Sequence, residues 1–167
     1  SGLYSVVAEA ATGEVVLPFI EEHRPSFMLL DLGLPLSWQE GLVVPEIEKG
    51  GFLLSKENIL SSYGGAIVLA TVRLRFPDLK IVIVTQYEDT DIITSVIRAG
   101  ADGFLLKTDK AERILDIVNR VMSGETAQSD RVMELLAQAE QKAGVEITAR
   151  EKEVLELIAN GFRDRDI

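Results

Sequence analysis

Three runs in this chain, Phe27-Met-Leu-Leu30, Ile81-Val-Ile-Val84 and Gly103-Phe-Leu-Leu106, lack the polar alternation of a strand with one wet face. Such runs are expected where a strand is buried on both faces, the condition of a parallel sheet layered between helices. Apolar residues recur at helical spacing between them. Glu14 to His23 carries Val15, Val16, Phe19 and Ile20, and Ala66 to Phe76 carries Ile67, Leu69, Ala70 and Leu74. Thr90 to Ala99 carries Ile92, Ile93, Val96 and Ile97, with Gly100 as its stop. Ala111 to Ser123 carries Ile114, Ile117, Val118 and Val121, with Gly124 as its stop. Strands alternating with helices at this interval predict a doubly wound α/β sheet. Tyr4 to Ala8 is a weaker candidate for a further strand.

Ligands of such sheets gather where strands end at their carboxyl edges. Asp31, Thr85 and Lys107 each stand at that edge, immediately beyond or at the end of an apolar run. Any one of them is equally read as the first exposed residue after a buried strand. A carboxylate, a hydroxyl and an ammonium at one edge form a constellation.

The remaining composition narrows the chemistry. With no cysteine, the chain has no disulfide, thiolate metal site or cysteine nucleophile. The single histidine, His23, argues against a zinc site and reads as a surface residue at a helix end. A net charge of −10 argues against a free-standing nucleic-acid binder. No apolar run reaches the roughly 18 residues that cross a bilayer, and no basic-then-apolar leader opens the chain, so a cytoplasmic protein without membrane contact is expected. The chain starts at Ser1-Gly2 without methionine and stops at Ile167 within a helical pattern, as though cut at both ends. Residues 125–146 are polar and rich in Ala and Gln, with Val132, Leu135, Leu136 and Ala139 at helical spacing, and are expected to form a linker helix. Residues 147–167 open a further helical unit, in which Thr148 and Glu151 match a capping box.

Phe27-Met-Leu-Leu-Asp31-Leu-Gly-Leu-Pro35 resembles the phosphorylation motif of receiver domains, the signal-accepting half of two-component response regulators. Thr85 matches the family's switch hydroxyl, Lys107 its lysine and Phe104 its rotating aromatic. Val6 to Glu14 looks like the family's second strand and the helix after it. The resemblance spans about residues 3–35 and 64–124. Ile147-Thr-Ala-Arg-Glu-Lys-Glu-Val-Leu-Glu-Leu-Ile-Ala-Asn-Gly161 resembles the first helix of a LuxR/NarL-type helix-turn-helix domain.

The resemblance implies a flavodoxin-like receiver over residues 1–124, a linker helix over 125–146, and the start of an all-α DNA-binding domain over 147–167. Two departures accompany it. No segment before Tyr4 supplies the family's first strand, with the acidic pair that helps hold Mg²⁺. The interval from Asp31 to Thr85 is also about twice the family's, the surplus falling at 36–63. Glu40, Glu46, Glu48 and Glu57 in that insertion either replace the missing acids or are solvated loop charges. Gly41 to Ile47 and Gly50 to Leu54 are read as strands of a small hairpin over the site, with Trp38 either anchoring it against the domain or making a buried hydrophobic contact without a functional role. Tyr87, Glu88 and Asp89 face a partner or are ordinary loop polarity.

By the same resemblance the chain is not an enzyme but a phosphorylation-dependent regulator of transcription. Asp31 would accept phosphate from a sensor histidine kinase, with Mg²⁺ on the Asp31 carboxylate and the Gly33 carbonyl in an incomplete site. Lys107 would neutralise phosphoryl charge, and Thr85 and Phe104 would move together. The partners implied are the kinase, a second copy in a homodimer, and DNA through the part of the LuxR-type domain that follows Ile167. The alternative is a receiver-like dimerisation or docking module that works without phosphate. A flavin-binding relative of the same layered fold would need a glycine-rich phosphate loop after its first strand, which this sequence lacks.

Overall fold

A computed structural model describes residues 4–145. A 3-10 turn at Gly13–Val15 leads into α1 (Val16–His23) and β1 (Phe27–Leu30). A small hairpin, β2 (Glu48–Lys49) and β3 (Phe52–Leu53), precedes α2 (Lys56–Ser62) and α3 (Gly64–Arg75). The chain continues through β4 (Lys80–Thr85), α4 (Thr90–Arg98), β5 (Gly103–Leu106), α5 (Ala111–Met122), β6 (Ala127–Gln128) and α6 (Asp130–Val145).

Strands β1, β4, β5 and β6 form a parallel sheet in that order. Side chains alternate across it with the two-residue period of a strand. Ile81, Ile83, Phe104 and Leu106 enter one core, shared with residues of α1, α3, α4 and α6. Val82 and Leu105 enter the other, packed under Ile117, Val118 and Val121 of α5. Burial on both faces is why the runs of β4 and β5 carry no polar alternation, whereas in β1 Leu30 is buried and Leu29 is 48% exposed.

Two devices fix the helices. Asp89 caps α4, its carboxylate accepting from the amides of Asp91 and Ile92. Arg73 of α3 donates to the carbonyls of Pro77, Leu79 and Gly100 and to the Asp102 carboxylate at 2.6 Å. Asp102 also accepts from the Ile81 amide at 2.8 Å. One guanidinium thus binds α3 to the entrances of β4 and β5.

Several expectations change. Tyr4 to Ala8 is not a strand: residues 4–10 have no regular structure, and Val6 and Val7 are exposed. The Tyr4 ring meets β1 edge-on at Phe27, 5.1 Å away, while the Tyr4 hydroxyl donates to Asn119 of α5. By the resemblance its ladder partner is the family's first strand, which is not among the described residues. The insertion is ordered into a hairpin and α2, but the hairpin strands are two residues each and lie against α4 rather than over Asp31. The Glu48 amide donates to Ser95 Oγ and the Gly50 amide to Asp91, while Lys49 lies 3.4 Å from Asp89. Trp38 is not the buried contact expected of it, nor an anchor in the core. It is exposed, with Lys56 Nζ 3.4 Å from its ring centroid. Helix α6 docks on the sheet: Val132 is buried in the main core, with Leu135 and Leu136 packed beside it. The helix expected within 147–167 lies outside the described residues.

Candidate functional site

At the carboxyl edge of the sheet, β1 runs directly into Asp31, β4 ends at Thr85 and β5 runs into Lys107. Parallel pairing aligns these ends, with Leu30 opposite Ile83 and Thr85 opposite Leu106. The Lys107 ammonium consequently reaches Asp31 Oδ2 at 2.6 Å, and the Lys107 amide donates to the Thr85 carbonyl at 2.7 Å. The second carboxylate oxygen, Oδ1, accepts from the Gly33 amide at 3.0 Å. Side-chain exposures of 34% for Asp31 and 48% for Lys107 leave both groups open to a reagent from solvent.

Thr85 points inward. It is completely buried, and its Oγ1 accepts from the Tyr87 amide at 3.3 Å. Phe104, two positions before the end of β5, is also completely buried in the main core. Asp31 and Lys107 therefore meet directly at the surface, while Thr85 and Phe104 stand behind them inside the domain.

Glycines let the return of the insertion press on this loop. A Cβ at Gly65 would collide with the Asp31 carbonyl and one at Gly64 with the Leu34 carbonyl. The Gly65 amide donates to the Leu32 carbonyl at 3.0 Å. Helix α3 thus begins against the backbone of the acidic loop.

The arrangement supplies an accessible carboxylate nucleophile with a cation already in contact, the two parts that phosphoryl transfer to an acid side chain requires. It does not supply a magnesium cage. Among the described residues no group of three acidic or histidine side chains comes together. Glu40, Glu46, Glu48 and Glu57 are all exposed to solvent, Glu48 on β2 and Glu57 in the first turn of α2. Asp31 has both oxygens engaged by Lys107 and Gly33. The donors present, Asp31 and the Gly33 carbonyl, fall short of the octahedral oxygen shell of Mg²⁺ unless water supplies most of it. His23 ends α1 just before β1 begins, at the opposite edge of the sheet, beside Glu22.

The contacts around the loop after Thr85 join residues far apart in the chain. Tyr87 donates its hydroxyl to the Ser62 carbonyl at 3.1 Å and packs edge-on against Tyr63 at 5.0 Å. Glu88 accepts from Arg131 of α6 at 2.9 Å. These partners lie 25 and 43 residues away in sequence, beyond any local pattern.

No family model matches the chain. Among curated proteins, the oxygen regulatory protein NreC of Staphylococcus epidermidis is 28% identical over 174 residues, covering 97% of this chain and 68% of its own length. The transcriptional regulatory protein YhcZ of Bacillus subtilis is 30% identical over 169 residues, covering 97% of this chain and 66% of its own. The chain thus spans about two thirds of the length of these relatives. Among solved structures, the response regulator RcsB of Salmonella typhimurium superposes with a TM-score of 0.66 at 20% identity, over 95% of this chain and 66% of its own. A LuxR-family response regulator from Aurantimonas gives 0.63 at 21% identity, over 82% of this chain and 79% of its own. At these identities the structural matches establish the fold alone.

Proposed function

The chain belongs to the LuxR-type response regulators of two-component systems, which regulate transcription and are not enzymes, and from that premise we propose that Asp31 accepts a phosphoryl group from a sensor histidine kinase. The observation that carries this reading is the 2.6 Å contact of Lys107 with Asp31 at the carboxyl edge of the sheet. An Asp31 oxygen attacks phosphorus, the bond from phosphorus to the donor breaks, and the donor leaves with that electron pair. Lys107 stays with the group and neutralises charge on a phosphoryl oxygen. Thr85 turns its hydroxyl from the Tyr87 amide toward another phosphoryl oxygen, and Phe104 takes up the space that Thr85 vacates. Mg²⁺ would add positive charge at the phosphoryl oxygens when bound through Asp31 and the Gly33 carbonyl.

The downstream consequences belong to the same proposal. A changed surface around α4 and α5 favours pairing of two copies. Paired copies place two LuxR-type domains on two DNA half-sites, the sequence-reading helix following Ile167. No described helix is long and apolar enough to cross a membrane. A cytoplasmic regulator with a kinase, a second copy and DNA as partners is the reading proposed.

Incubation with acetyl phosphate, with and without Mg²⁺, tests the acceptor. The expected result is a phosphoryl adduct by intact mass that is absent from Asp31→Asn. The shortage of metal donors favours a second reading, a docking module that works without phosphate. A folded sample that never forms the adduct would overturn the acceptor reading and leave the docking module as the alternative.

A further inference from the structure

We propose that the inserted segment 36–63 holds Tyr87 as a shield beside Asp31, so that Ser62 and Tyr63 are positioning residues that set the lifetime of the acyl phosphate. The inference rests on the acceptor role of Asp31 and adds to it a regulator that the receiver pattern does not contain.

Gly33 marks the place. A side chain built there would lie 3.7 Å from Asp31 Oδ1, 3.6 Å from the Tyr87 hydroxyl and 3.8 Å from its ring. The carboxylate and the phenol therefore line one small gap above the acidic loop. Tyr87 is not left to choose its position. Its hydroxyl is committed to the Ser62 carbonyl at 3.1 Å, and its ring meets the Tyr63 ring at 63°. Tyr63 is itself buried and caps α2, its amide donating to the Ile59 carbonyl, while its own carbonyl accepts from Ala66 in the first turn of α3. A tyrosine held at both ring and hydroxyl loses the rotamer freedom with which an unrestrained side chain would clear the gap. Both restraints come from the insertion.

Loss of the phosphoryl group requires water. Its oxygen attacks phosphorus while the phosphorus–oxygen bond to Asp31 breaks, the carboxylate keeps that electron pair, and a proton of the water passes to solvent. Inorganic phosphate and free Asp31 result. A phenol whose hydroxyl already donates to a carbonyl occupies volume that water would otherwise fill. Removing the shield admits water, whereas removing Tyr63 only loosens it.

The test follows the decay of the acetyl-phosphate adduct after the donor is removed. Tyr87→Ala is expected to shorten the half-life about tenfold, equal to roughly 1.4 kcal/mol in the barrier. Tyr87→Phe, which keeps the ring and loses the tether, and Tyr63→Ala should each shorten it about threefold, the size of one net hydrogen bond. In the double variant Tyr63→Ala with Tyr87→Ala, decay should match Tyr87→Ala alone, because the insertion acts only through Tyr87. Urea midpoints establish that each variant is folded, and Tyr87→Phe carries the test should Tyr87→Ala be too unstable. A wild-type half-life in Tyr87→Ala and Tyr87→Phe overturns the proposal. So does an acceleration by Tyr63→Ala that persists without Tyr87. Failure of the wild type to form an adduct removes the acceptor reading itself, an outcome distinct from unchanged lifetimes.

Discussion

Two ion pairs in this domain look alike in distance and differ in what they do. Lys107 meets Asp31 at 2.6 Å with much of both side chains in water, whereas Arg73 meets Asp102 at 2.6 Å with side-chain exposures of only 23% and 18%. An exposed pair adds about 1 kcal/mol of stability or less. Asp102 also satisfies the Ile81 amide, and its loss strands a guanidinium that three carbonyls hold in place. Lys107→Ala is therefore expected to leave the thermal midpoint nearly unchanged and to slow adduct formation. Asp102→Ala should cost about 2 kcal/mol, a drop of roughly 4–8 °C, with adduct chemistry intact. Calorimetry and adduct kinetics on both variants check the split; equal thermal losses would contradict it. The difference in legibility has the same origin. Asp31, Thr85 and Lys107 could be read because each punctuates an apolar run. Arg73 could not, because its partners are mostly backbone carbonyls, which no residue type announces.

At the scale of elements, long runs were visible and short ones were not. Strands β4 and β5 are buried on both faces and reveal themselves by composition, as does the apolar run of β1 although Leu29 is exposed. Strands β2, β3 and β6 have two residues each, too few for any periodicity, and of these only β3 falls within a segment read as a strand, Gly50 to Leu54, while β2 lies just beyond Gly41 to Ile47. Tyr4 to Ala8 had the composition of a strand without a ladder to join, and composition alone cannot supply a neighbour. The insertion is fastened at its start by Glu14, whose carboxyl is held at a pKa of about 2, against an ordinary 4.5, by hydrogen bonds from the Thr12 hydroxyl and the Ser37 amide. A carboxyl lowered on folding stabilises the fold above its unfolded pKa, and that stability is lost as pH falls through the folded value. Glu14→Gln is accordingly expected to be less stable than the wild type above about pH 5. The gap should close as pH approaches 2. Urea midpoints across that range check it, and a gap independent of pH would show that the carboxylate charge is not what fastens the segment.

At the scale of the whole molecule, the helix expected as a linker shares the receiver core. Val132 is completely buried, and α6 is tied to the loop after Thr85 by Arg131 and Glu88 and to α5 by Arg113 and Asp130. Its helical spacing was legible in the sequence, but its docking was not, since the polar surface of α6 resembles that of a free helix. Val132→Ala should therefore destabilise the entire domain by about 2 kcal/mol in one cooperative transition. A separate early transition, with the sheet unaffected, would mean that α6 melts alone.

The turn of the small hairpin has a practical consequence. Gly50 and Gly51 both adopt positive φ, and a Cβ built at either meets nothing within 4 Å, while the Gly50 amide still reaches α4 through Asp91. A compact fluorophore introduced beside this tip would project into open solvent from a strand anchored to the helix behind the switch residue. Its emission would report movement of that helix as it occurs, turning the domain into an optical sensor of its own state.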